Sequence, residues 1–240
     1  MKIVTRFAPS PTGYLHIGHA YSASLAFQKA KESGGHFLVR IEDIDGTRCR
    51  PEYESALYED LSWIGLEWEE PVRRQSDHLA DYEAVLERLH ERGLLYPCFC
   101  TRKDIAAEIA KSNTAPHGPD GPLYPGLCRS LSDEERQKRF SSDVPYALRL
   151  DMQKALEAVP MDTLVFREVE KGLIQCDPAR FGDVVLARKE TPTSYHLAVT
   201  LDDALQGVNL VVRGQDLFEA TYVQRLLQAL LDLPTPDYLH

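Results

Sequence analysis

Residues Arg6–Ala20, RFAPSPTGYLHIGHA, lead from an apolar run into a helical one through two prolines, two glycines and a pair of histidines. The run KIVTRFA, which overlaps its start, reads as a short strand. HAYSASLAFQKAKESGG reads as a helix, with Ala20, Ala23, Ser24 and Phe27 at helical spacing and Gly34 after the last turn. A strand that passes through a stiff turn into a helix start is a phosphate-binding geometry, because backbone N–H groups and the positive helix end face the anion. Gly13 and Gly18 let the backbone approach a flat ligand closely. His16 and His19, three apart at that helix start, are the candidate catalytic residues. Two imidazoles there can donate to phosphate oxygens and stabilise the charge that develops during attack at an α-phosphorus.

Outward from this turn, HFLVRIED (36–43) is a second strand, which completes a βαβ unit and implies a parallel sheet. Helical patterns follow at 51–66, opening with Pro51 at a first-turn position, and at 77–93. PYALRL (145–150) and TLVFRE (163–168) read as strands with antiparallel-type alternation. The segments 183–205 and 209–214 return to apolar strands, and 216–233 is a strongly amphipathic helix. The stretch 112–127, SNTAPHGPDGPLYPGL, is too rich in Pro and Gly for regular structure, and a loop this long inside a domain usually has a tether or a function. The expected layout is an α/β fold in two halves, about 1–76 and 181–240, with an inserted lobe over about 77–180.

Composition narrows the class without naming a chemistry. The chain has 240 residues, ample to bury a core, with 43% hydrophobic and 27% charged residues. A net charge of −10 excludes a basic field over the whole surface, as a generic nucleic-acid binder would carry, but leaves room for a local basic groove. With no long apolar run and no apolar signal core, the expectation is a cytoplasmic protein without a membrane span. The five cysteines are then expected to be reduced, buried or metal-bound.

Cys98 and Cys100, then Tyr124 and Cys128, bracket the irregular stretch. Two thiolates one residue apart, closed by a second pair at a distance, suit a tetrahedral zinc site. Such a site can supply roughly 10–16 kcal/mol to a loop without its own core. A Cys-x-Cys alone fits buried core cysteines equally, and Cys49 and Cys176, with no partners at ligand spacing, read as structural.

The long pattern APSPTGxLHIGHA resembles the HIGH signature of class I aminoacyl-tRNA synthetases in the version carried by the glutamate group. RIEDID and YHLAVTLDD…VVRGQDL extend the resemblance over nearly the whole chain. It implies a Rossmann-like parallel sheet in two halves with an inserted zinc-binding, acceptor-type lobe and no anticodon-binding domain. It also implies that Arg6 and Arg213, helped by Tyr195, hold the carboxylate of L-glutamate, that Phe7, Ala8, Pro9 and Ser10 line the same pocket, and that Glu42 takes the α-ammonium. A planar guanidinium grips a carboxylate through two parallel hydrogen bonds that a neutral amide cannot reciprocate.

YPCFCTR followed by YPGLCR resembles the zinc insert of a short paralogous branch of that group, the glutamyl-Q tRNA(Asp) synthetases, in which a tyrosine replaces one usual ligand. The implied metal site is one zinc on Cys98, Cys100, Tyr124 and Cys128, with His117 as a substitute for Tyr124. The implied reaction is tRNA-independent activation of glutamate with ATP and magnesium, then transfer to the queuosine base in the anticodon of tRNA-Asp by a monomeric enzyme. Arg102, Lys103 and Arg129 are candidate RNA contacts. The group's second signature, a lysine-bearing KMSKS-like loop, does not occur in the 240 residues, and RKETPTS at Arg188 does not fit it. The expectation is a truncated chain, with a fragment of an ordinary glutamyl-tRNA synthetase and a non-catalytic nucleotide-, zinc- and RNA-binding module as alternatives.

Overall fold

The computed structural model describes residues 2–110, 117–119, 121–188 and 191–240. Residues 112–116 and 120 of the irregular stretch, and Lys189 and Glu190 of RKETPTS, lie outside the described residues. Strand β1 (Val4–Phe7) pairs in parallel with β2 (His36–Ile41), Val4 opposite His36 and Phe7 opposite Val39. The crossover is helix α1 (Ile17–Glu32), whose buried residues are Ala23, Ala26 and Ala30, small enough to bring its backbone close to the sheet. Helix α2 (Pro51–Trp63) leads to β3 (Glu69–Arg74), which lies parallel on the far side of β2. The sequence EEPVRR has no apolar alternation, so hydrophobic period does not announce β3.

The lobe begins with α3 (Leu79–Glu91), which buries Tyr82, Val85, Leu86 and Leu89, and with β4 (Leu95–Cys98). Then come α4 (Arg102–Ile109), the short strands β5 (His117–Gly118) and β6 (Gly121–Pro122), and α5 (Asp133–Ser141). Helices α4 and α5 open with reciprocal caps, Thr101 with Asp104 and Ser132 with Glu135, in which each hydroxyl accepts a backbone N–H and each carboxylate returns the favour. Strand β7 (Ala147–Leu150) runs antiparallel to β4, followed by α6 (Met152–Glu157).

The hairpin β8 (Val165–Glu168) and β9 (Gly172–Gln175) precedes β10 (Val185–Arg188), α7 (Tyr195–Leu205), β11 (Leu210–Val212), α8 (Ala220–Leu231) and β12 (Asp237–Leu239). The order β11–β12–β8–β9 is parallel across its first three strands. Strand β11 adjoins β1 through Asn209, whose backbone N donates to Val4 O at 3.1 Å while Val4 N donates to Asn209 Oδ1 at 2.8 Å. The two halves thus meet edge to edge.

Three expectations need correction. Residues 195–205 form helix α7, not part of a strand run. Ser194 caps the helix by accepting from Leu197 N at 3.4 Å, and seven consecutive residues, Leu197–Asp203, are buried, so no polar stripe reveals the helical period. Strand β8, placed by sequence in the lobe, pairs with β12, while β10, placed in the second half, pairs with β7 of the lobe. Alternation tells which face of a strand is buried but not which neighbour it finds. The main core crosses the same limits: Tyr82, Leu150, Phe166, Leu197, Leu227 and Tyr238 belong to one cluster. No helix among the described residues is long and apolar enough to cross a membrane.

Replacing Asn209 with Ala strands the Val4 N–H at the seam between the halves. We expect a loss of about 1–3 kcal/mol in urea unfolding, with an unchanged far-UV spectrum.

Candidate functional site

The turn after β1 places His16 as the N-cap of α1. His16 Nδ1 accepts from Gly18 N at 3.1 Å, and His19 Nδ1 accepts from His16 N at 3.3 Å. Both Nδ1 atoms are therefore unprotonated, and each neutral ring carries its proton on Nε2. The rings stack with centroids 3.8 Å apart. Burial, helped by the neighbouring His16, lowers the pKa of His19. A Cβ on Gly18 would meet His16 Cε1 at 3.0 Å, so a side chain there would crowd the ring. A Cβ on Gly13 would meet no protein atom within 4 Å, and Gly13 borders a cavity of about 1190 Å³.

Both histidines line this cavity, and so do Arg6, Phe7, Ala8, Pro9, Ser10, Glu42, Tyr195 and Arg213. Arg6 is buried; its Nε donates to Asp203 Oδ1 at 2.9 Å and Nη1 to Val212 O at 3.4 Å. Arg213 donates from Nη1 to Tyr195 OH at 3.3 Å and from Nη2 to Thr221 Oγ1 at 2.6 Å. Two guanidinium groups, one from β1 and one from the residue that follows β11, therefore line one space. Glu42 accepts from Arg40 Nη2 at 3.0 Å, and burial raises its pKa against the pull of Arg40 and Arg6.

Beneath the cavity lies a buried ionic network. Arg40 is fully buried and bonds Asp203 at 2.8 Å, Glu42 at 3.0 Å and Gln206 at 3.0 Å. Asp202, also fully buried, accepts from Arg73, Gln75 and Tyr82. Asp203 pays a burial penalty that Arg6 and Arg40 outweigh, which holds its carboxyl below the usual range. Sequence reading missed Arg40, Asp202 and Asp203. The signal was two adjacent acids inside an apolar run, since fully buried charges have to be paired.

A second cavity of about 840 Å³ shares Ser10, Thr12, Glu42 and Tyr195 with the first. Thr193 Oγ1, His196 Nδ1 and Arg149 Nε are buried polar atoms without a partner among the described residues, and all three residues line this cavity. Arg102 also reaches it, whereas Arg129 pairs with Asp183 at 3.3 Å and Lys103 is exposed on α4. Cys49 lines the same cavity, and Cys176 is buried in the main core.

At the base of the lobe, the sulfurs of Cys98, Cys100 and Cys128 lie within 4.8 Å of one another. Tyr124 OH is 3.3 Å from Cys98 Sγ and 3.6 Å from Cys100 Sγ, and accepts from Cys128 N at 2.9 Å. Three thiols and one phenol converging on a common point make a four-donor set that fits a tetrahedral soft metal. His117 sits exposed on β5 and is not in the cluster found among the described residues. The Arg149 guanidinium lies 3.9 Å over the Tyr124 ring and donates to Asp183 O at 2.6 Å, so it links the cysteine cluster to the second cavity.

Residues 2–240 match the family model for tRNA synthetases class I (E and Q), catalytic domain. The chain belongs to this family. It is 49% identical to a glutamyl-Q tRNA(Asp) synthetase of Rhodobacter capsulatus, over 99% of this chain and 86% of that protein. A protein of the same name from Nocardia farcinica is 45% identical, over 98% of this chain and 70% of the relative. The crystal structure of a glutamate tRNA ligase from Elizabethkingia meningosepticum in complex with its amino acid superposes with a TM-score of 0.84 at 28% identity. It covers all of this chain, which spans 49% of that larger one.

Arg40→Met leaves Asp203 and Glu42 short of a buried partner, and we expect a loss of about 3–5 kcal/mol in chemical denaturation. A second expectation concerns His196, whose pKa burial lowers from 6.5 to about 4. Between those values the unfolded chain binds a proton that the folded one refuses, so stability falls as pH drops through the window and levels off below it. His196→Asn should gain on the parent by on the order of 3 kcal/mol between pH 7 and pH 4, read from urea midpoints at each pH.

Proposed function

We propose that this chain activates glutamate with ATP and magnesium, without needing tRNA, and transfers it to the queuosine base in the anticodon of tRNA-Asp. The observation that carries the reading is that Arg6 and Arg213 line one cavity with the paired imidazoles of His16 and His19. The guanidinium groups select a side-chain carboxylate, and Glu42, a buried carboxylate on the cavity wall whose Oε1 is held by Arg40, suits an α-ammonium. The α-carboxylate of glutamate then attacks the α-phosphorus of ATP, an acyl–phosphate bond forms, and pyrophosphate departs. The Nε2–H groups of His16 and His19 donate to the phosphate oxygens as charge builds on them.

In the second step a hydroxyl of the cyclopentenediol attacks the activated carbonyl, forms the ester and releases AMP. The second cavity, which shares Glu42 and Tyr195 with the first, suits the incoming nucleotide: Thr193, His196 and Arg149 have unspent hydrogen-bonding capacity, and Arg48, Arg102 and Arg188 suit its phosphates. The cysteine cluster with Tyr124 would hold one zinc ion that ties down the lobe.

The test is glutamylation of purified queuosine-bearing tRNA-Asp, with unmodified tRNA-Asp and tRNA-Glu as controls. We expect product with the first alone; product with tRNA-Glu would overturn the acceptor assignment. Arg6→Ala should weaken glutamate binding about ten- to hundredfold in calorimetry. Metal analysis should give one zinc per chain, lost together with lobe protection in hydrogen exchange on Cys128→Ser.

A further inference from the structure

Arg213 has five N–H bonds to give. Its Nε–H goes to His240 Nε2 at 3.1 Å, its Nη2 hydrogens go to Leu217 O at 3.1 Å and Thr221 Oγ1 at 2.6 Å, and Nη1 reaches Tyr195 OH at 3.3 Å. An arginine Nε–H is a donor only, so His240 Nε2 has to be the bare ring nitrogen. The ring proton is then on Nδ1, where Glu168 Oε2 lies at 2.7 Å. The other Glu168 oxygen accepts from His240 N at 3.3 Å. This places the proton on the nitrogen opposite to the one favoured by a free histidine side chain, and the tautomer of such a ring is set by what its other nitrogen meets.

The two side chains are 1% and 0% exposed. Burying a carboxylate beside an imidazole costs more than filling the same space with apolar groups, so the pair needs a reason to be there. Strand pairing supplies the contact: β8 meets β12 with Glu168 opposite Tyr238, which brings the carboxylate beside His240. Phe218 packs edge-on to the imidazole and Tyr238 stacks parallel to it, which fixes the ring plane. His240 in turn borders the large cavity next to Arg213.

We infer that Glu168 and His240 are positioning residues for the substrate carboxylate: Glu168 fixes the Nδ1–H tautomer, and His240 Nε2 then holds Arg213 by its Nε–H so that Nη1 faces the cavity. The inference rests on the glutamate reading of that cavity. Leu217 O and Thr221 anchor one edge of the guanidinium, and His240 sets its rotation about that edge. Neither residue of the pair needs to touch glutamate itself.

Two measurements on the full chain separate this inference from the substrate reading. Nitrogen-15 imidazole spectra of the ligand-free parent should show His240 protonated at Nδ1 and bare at Nε2, and Glu168→Leu should move the proton to Nε2. In calorimetry His240→Leu should weaken glutamate binding about tenfold or more while ATP binding stays unchanged. His240→Gln, whose amide oxygen can replace the Nε2 acceptor, should restore most of the affinity. A proton on Nε2 in the parent, or equal glutamate affinity in His240→Leu and the parent, would overturn the inference. So would equal losses in the Leu and Gln variants, which would mark a packing role. A parent chain with the Nδ1–H tautomer but no glutamate binding would overturn the substrate reading, and with it the role given to the pair.

Discussion

The carboxylate of Asp203 is the constraint on which the site depends. It is buried, and it is held between the guanidinium groups of Arg6 and Arg40 at 2.9 and 2.8 Å. Arg6 comes from β1, Arg40 from β2 and Asp203 from α7, so one ionic knot joins three elements that lie far apart along the chain. Removing charges from water is costly, and the arrangement survives because each ion finds more than one partner. Geometry follows: Arg6 is tethered by its Nε to Asp203 and by Nη1 to Val212 O, and Nη2 has no bond among the described residues.

The same logic repeats around Arg213, where Thr221, Leu217, Tyr195 and His240 account for most of its donors. A guanidinium that has to distinguish a carboxylate from an amide gains from being held in place before the ligand arrives, because less rotational freedom remains to be lost on binding. The two arginines are thus fixed by different means, one by a buried anion and the other by a ring of mostly neutral acceptors. The histidine pair of the turn is held by backbone N–H groups instead, which sets both tautomers without any further side chain.

Much of this was legible in the amino-acid order. The turn from Arg6 to Ala20 declares itself through prolines and glycines, and the fold class follows from the βαβ spacing around it. Residues on that turn, together with Glu42, Tyr195 and Arg213, line one cavity, as a shared motif would have them do. Other features were hidden for physical reasons. Helix α7 is buried on nearly every side, so it has no polar face to betray its period. Strand β3 carries charge instead of alternation because its arginines serve the ionic network. The partners of β8 and β10 are decided by long-range packing, on which local pattern is silent. The two adjacent acids of α7 carry a hint of burial, but that Arg40 is the partner of Asp203 is visible only once the strands and the helix are assembled.

Tyr195 and Glu42 stand in the partition between the two cavities, so each has one face toward either chamber. On the function proposed above, an acyl group activated in the first cavity would lie beside an acceptor held in the second, with Glu42 and Tyr195 between them. A substitution at Glu42 or Tyr195 therefore reshapes the lining of both chambers at once, and neither can be altered there alone.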